Sequence, residues 1–181
     1  TRGGRVSYDI TKRISLSVGA IGHINSARRT SQYDALMESA LTIAPSERVK
    51  LTLYGLVGPR PGATGTPGGD LLLVGGFASF QATAQTSLVL ESYYANQANS
   101  SRISEAGNAR WNGVAGYVIH DFTRQWGVRV RAELFEDAGG AVSCQGTTAY
   151  QPRANVCFGA TSTTPAPPVG PNPWEVTPTV Q

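Results

Sequence analysis

Apolar and polar residues alternate one by one through most of this chain. In "WGVRVRAELFED", Trp126 to Asp137, an extended strand puts Val128, Val130, Ala132 and Leu134 on one side and Arg129, Arg131 and Glu133 on the other. The same period runs through "ISLSVGAIGHIN", with Ile14, Leu16, Val18 and Ala20 sharing a face. In "VKLTLYGLVG", Val49, Leu51 and Leu53 oppose Lys50, Thr52 and Tyr54, and in "TSLVLESYYANQ", Leu88 and Leu90 oppose Val89 and Glu91. No helical period is sustained, and Gly and Pro recur at spacings that break helices. Only "SQYDALMESALTIA" could pass for a helix, and its neighbours favour a strand.

The predicted strands come in pairs. "GRVSYDI" joins "ISLSVGAIGHIN" through "TKR", and "ALMESALTIA" joins "VKLTLYGLVG" through "PSER". "DLLLVGGFASF" meets "TSLVLESYYANQ" near "QATAQ", and "ARWNGVAGYVIH" meets the Trp126 segment through "DFTRQ". Longer Gly-, Pro-, Ser- or Thr-rich stretches separate the pairs, and the longest, about 138–173, precedes "WEVTPTV". Segment lengths near ten residues suit a tilted strand that crosses a bilayer, whereas the usual soluble strand is nearer five or six. Strict alternation of short and long connections is expected of a barrel with tight turns on one side and free loops on the other. A Greek-key sandwich has no reason to keep it. The prediction is an all-β, antiparallel up-and-down transmembrane β-barrel over residues 1–181. It is partial, with about eight strands and part of a ninth.

Composition sharpens this. The chain has 181 residues, of which 15% are charged and 40% hydrophobic; soluble domains carry about a quarter charged residues. No run approaches the roughly 18 apolar residues of a membrane helix, and mean hydropathy is -0.17. A formal charge of +3 is spread along the chain without a basic stripe, so no nucleic-acid partner is expected. "TRGGRVSYDI" has no apolar leader core, and the chain reads as a mature or excised piece, so this says little about export.

Aromatics crowd segment ends, where a membrane barrel places half-wet rings. On this reading Tyr8, Trp111, Trp126, Phe135 and Trp174 are interface anchors, while mid-strand apolar positions are Val, Leu, Ile, Ala and Gly. The inward, pore-lining set is expected to include Glu38, Lys50, Gln85, Glu91, Asn112, His120, Arg129, Arg131 and Glu133. A mid-plane arginine turned to lipid would cost about 2–4 kcal/mol, so the arginines should point inward. They then either set ion preference or simply pair across neighbouring strands.

Other chemistry is thin. Cys144 and Cys157 share one polar stretch with no histidine near and too few ligands for zinc, so a disulfide in an exported loop is preferred over free thiols. "GATGTPGG" lacks the Gly-Lys-Ser/Thr ending of a phosphate loop. His120 and Asp121 are adjacent, so in a strand they point apart, and no nucleophile accompanies them. No enzyme, metal or cofactor is expected.

"WGVRVRAELFEDAGGA" resembles a strand of the OmpL-like beta-barrel porins of Gram-negative bacteria, in which Trp-Gly-x-x-x-Arg-Ala-Glu-x-Phe-x-Asp and then Gly recur late in the chain. The matching residues are Trp126, Gly127, Arg131, Ala132, Glu133, Phe135, Asp137 and Gly139. "PWEVTPTV" resembles the family's next strand through Glu175 and Thr177. The resemblance implies an outer-membrane channel for passive diffusion of small hydrophilic solutes or ions, with membrane lipid and small polar solutes as partners and room for a homo-oligomer. The alternative is a soluble or surface-exposed β-sandwich or barrel that binds through its long loops. A lipid-modifying barrel enzyme is a distant third.

Overall fold

The structure, a computed structural model, describes residues 2–22, 35–60, 69–99, 107–138, 144–145, 156–157 and 174–180. These residues form strands and turns, with no helix among them. The strands are β1 (Arg2–Thr11), β2 (Ile14–Gly22), β3 (Ala35–Ser46), β4 (Val49–Arg60), β5 (Gly69–Gln81), β6 (Thr86–Gln97), β7 (Ala109–Asp121), β8 (Gly127–Asp137), β9 (Cys144–Gln145), β10 (Val156–Cys157) and β11 (Trp174–Val180). Nine of them make one sheet in the order β1-β2-β3-β4-β5-β6-β7-β8-β11, antiparallel at every step. The chain therefore runs up and down without a crossover. The stretch that could pass for a helix is strand β3 from Ala35 onward.

Local chemistry closes the turns. The Thr11 hydroxyl accepts the Arg13 amide at 3.1 Å, and the Thr83 hydroxyl accepts the amides of Gln85 and Thr86 at 3.2 and 3.0 Å. Thr123 does the same for Gln125 and Trp126. Such side-chain caps satisfy amides that a tight turn would otherwise leave bare.

The registers sort every strand residue onto one of two faces. Val6, Leu16, Val18, Met37, Leu51, Leu53, Val57, Val74, Leu88, Leu90, Val114, Val118, Val130, Leu134 and Val176 all share one face and all stand exposed, Leu53 at 61% and Leu134 at 69%. Apart from Ser39 and Ser92 in mid-strand, polar residues on that face gather near its two borders: Asn96, Arg110, Asn112 and Glu136 toward the long connections, Thr86 and His120 toward the short turns. On β6 the distance from Thr86 to Asn96 is about 33 Å along the strand at the usual rise. A tilt of about 40° shortens it to roughly 25 Å, the height of a barrel's apolar band.

The opposite face carries most of the charge. Side chains from strands two apart meet on it: Arg5 of β1 reaches Glu38 of β3 across Gly19, and Tyr54 of β4 reaches Glu91 of β6 across β5. These contacts, with the burial of Leu71 and Trp111 on this side against the exposure of the other, mark it as the concave side of the sheet, the inner face. Its half near the long connections holds an apolar cluster: Leu71, Ala95, Ala109 and Trp111 are buried, with Leu36, Leu56, Leu73, Tyr93 and Phe135 packed on them, and Gln97 and Asp137 are buried beside it.

Between β8 and β11, β9 and β10 pair by themselves, and Cys144 lies directly opposite Cys157 in their ladder.

Candidate pore wall

The inner face is built on an alternation across strands rather than along them. One paired row reads Tyr54, Gly75, Tyr93, Gly113, Phe135 from β4 to β8. A Cβ at Gly75 would lie 2.6 Å from the Tyr54 ring, and one at Gly113 would lie 2.7 Å from the Tyr93 ring. Each tyrosine thus lies flat over a glycine of the next strand, where no other residue leaves room.

The hydroxyls of Tyr54 and Tyr117 organise the charges. Tyr54 donates to Glu91 Oε1 at 3.2 Å and Tyr117 donates to Glu91 Oε2 at 3.2 Å. Arg131 Nε donates to the Tyr117 hydroxyl at 3.1 Å, and its Nη2 pairs with Glu133. The Arg131 guanidinium also stands 5.7 Å from the centroid of the Tyr117 ring, within reach of a cation–π attraction. A continuous chain Tyr54–Glu91–Tyr117–Arg131–Glu133 therefore crosses β4, β6, β7 and β8. Its ion pair is about a third exposed on the arginine side and contributes little stability, of the order of 0–1 kcal/mol. What it fixes is position: negative and positive groups are held at set points on one wall.

A second pair lies toward β1. Arg5 grips Glu38 through two bonds, Nε to Oε1 at 2.5 Å and Nη2 to Oε2 at 2.9 Å. The fork geometry suits a carboxylate, and Gly19 between the two strands leaves the carboxylate its space. Below it, the hydroxyls of Thr42 and Thr52 meet at 3.1 Å.

Of the residues expected to line a pore, Glu38, Lys50, Glu91, Arg129, Arg131 and Glu133 stand on the inner face. His120 does not. It pairs with Thr86 and Val128 on the outer face, where its Nδ1 lies 2.9 Å from the Thr86 hydroxyl and its ring meets Phe122 edge-on at 4.6 Å. Asn112 is also on the outer face, bonded to Glu136, and Gln85 sits in a turn. Two expected interface aromatics need the same correction. Trp111 is 7% exposed within the inner apolar cluster, and Phe135 packs on that cluster from the inner face. Tyr8 is on the outer face at 69% exposure, Trp126 stands exposed in a turn, and Trp174 pairs with Leu134 in the ladder.

Sequence reading passes over Arg5, Tyr54, Tyr93 and Tyr117. The signal for Tyr54 and Tyr93 is the pairing of each ring with a glycine, and for Tyr117 its place beside Arg131, both visible only once the register is known. Chemically, the wall can hold and steer ions; among the described residues no group of His, Cys, Asp or Glu is placed to hold a metal.

The model of one protein family, described as "Putative beta-barrel porin-2, OmpL-like", matches residues 1–172. The chain belongs to that family of β-barrel porins. Comparisons with curated proteins and with solved structures returned no match.

Proposed function

We propose that this porin-family chain forms the wall of a water-filled channel through the outer membrane of a Gram-negative bacterium. Small hydrophilic solutes and ions diffuse along it passively, without a cofactor or a chemical step. The observation that carries this reading is the separation of the faces. The outer face is an exposed band of Val, Leu and Met with most of its polar residues at its borders, and the inner face holds the pairs Arg5–Glu38 and Arg131–Glu133 and, between two tyrosines, Glu91. An apolar surface of that extent is unstable against water and stable against lipid tails. A sandwich would cover those valines with a second sheet; among the described residues the only other sheet is the β9–β10 pair.

Planar-bilayer recording on the full-length protein tests it. Discrete conductance steps are expected, and a correctly inserted protein that stays silent across voltages would remove the channel reading. A nitroxide at Val130 should report hydrocarbon contact, and one replacing Ser17 should report water. The sandwich predicts a protein-buried signal at Val130.

A further inference from the structure

The short turns carry a charge bias that the mid-wall network does not use. Lys12, Arg13, Arg48, Lys50, Arg124 and Arg129 lie in these turns or within the first residues of the strands they join, against Asp9, Glu47 and Asp121. Excess positive charge around a low-dielectric mouth raises the local concentration of anions.

One part of this rim has the shape of a site. A cleft of about 640 Å³ opens between the β5–β6 and β7–β8 turns, lined by Gln85, Thr123, Arg124, Gln125, Trp126 and Arg129 together with Asp121 and Gly127. The cleft is held in shape. The Asp121 amide donates to the Gln85 carbonyl at 2.9 Å, which ties the two turns together, and the Thr123 hydroxyl accepts two amides of its own turn. Arg129 Nη2 pairs with Asp121 at 2.8 Å. Its Nη1 is buried against Gly127, at 2.5 Å from where a Cβ would be, and has no hydrogen-bond partner among the described residues, so the guanidinium meets the cleft through its remaining nitrogens. Arg124 adds a cation that has no ion-pair partner among the described residues, and Trp126, 62% exposed, adds an apolar ring on the same cleft.

We propose that this turn-end cleft is an anion site at one mouth of the channel, taking small organic carboxylates. The carboxylate is held by Arg124 and Arg129, and the apolar body of the solute lies against Trp126. This rests on the channel reading above and adds to it a solute class and a side of capture.

The test uses benzoate as the probe on the full-length protein in planar bilayers, added to each compartment in turn. Benzoate is expected to reduce the ion current from one side only, and Arg124→Gln should raise the half-blocking concentration at least tenfold. Arg129→Gln should do the same, and Arg124→Gln, a change in an exposed turn, controls for any loss of folding when Asp121 loses its partner. Trp126→Ala should weaken block by benzoate and leave block by inorganic phosphate unchanged. Conducting channels that benzoate does not block, or blocks equally in wild type and Arg124→Gln, overturn the site and leave the channel standing. Phosphate blocking as strongly as benzoate overturns the carboxylate assignment. A protein that never conducts overturns the channel reading, and the mouth with it.

Discussion

The two faces of the sheet are made by the same strands from alternate residues, yet they constrain their side chains in opposite ways. On the outer face Val130, Leu53 and Leu134 make few contacts with their own protein and need only a solvent that accepts them. On the inner face Tyr54, Glu91, Tyr117, Arg131 and Glu133 each need a named neighbour at a set distance. The outer face is therefore specified by chemical class and the inner face by geometry. Charge should be the costly change on one, and added volume the costly change on the other.

The largest effect should come from charge on the outer face. Val130→Arg puts a guanidinium in the apolar band and should lower stability in a bilayer by about 2–4 kcal/mol. Ser17→Arg places the same group on the inner face, between Ser7 and Ala40, and should cost within about 0.5 kcal/mol. Denaturant titration of the protein folded into liposomes measures both. Equal losses would mean that the two faces meet the same solvent, and the comparison would collapse.

Volume should sort the faces the other way, by a smaller amount. Gly113 and Gly116 lie three residues apart on β7, one on each face. A Cβ at Gly113 would lie 2.7 Å from the Tyr93 ring, while one at Gly116 would meet nothing within 4 Å. Gly113→Ala should therefore cost about 1–3 kcal/mol, because the ring must leave its place. Gly116→Ala should be neutral or slightly stabilising, since it only restricts the unfolded chain. The same titration checks this pair, and a reversed order would show that Tyr93 does not rest on Gly113.

This difference also decides how much of the molecule could be read in advance. Alternation in β4, β6 and β8 is legible because one face is built mainly from apolar residues and the other carries the charge, and it places Lys50, Glu91, Arg129, Arg131 and Glu133 together. The partners are not legible, because they depend on register and curl: nothing in the local sequence says that Arg5 meets Glu38 or that Tyr54 meets Glu91 across an intervening strand. Phe135 shows two signals in conflict. Its nearness to a strand end suggests an interface, while its spacing of two from Glu133 puts it on the inner face, and the spacing decides. In β7 the pattern itself weakens, since Gly113, Ala115 and Gly116 are small and Val118 and Ile119 are apolar on both faces. There His120 has no clear side until its partners Thr86 and Val128 are known. The expected disulfide between Cys144 and Cys157 rests on side chains outside the described residues; their backbone positions face each other in the β9–β10 ladder.

His120 gives the finest test of the comparison, because it is a polar, titratable side chain on the outer face. Its ring lies between the Thr86 hydroxyl and Phe122 at the turn-side border of the apolar band. His120→Ala removes one hydrogen bond that is partly exposed, a loss of about 0.5–1.5 kcal/mol, and should leave ion selectivity unchanged. Glu91→Gln is the matching change inside: the amide oxygen can still accept from Tyr54 or Tyr117, so the fold is kept while one negative charge leaves the wall. Its reversal potential in a salt gradient should move toward anions, because the pore potential is the sum of fixed charges along the wall. The contrast between the two variants carries the information. A shift from His120→Ala as large as that from Glu91→Gln would put the imidazole in the water path, and the outer face would no longer be a purely lipid surface.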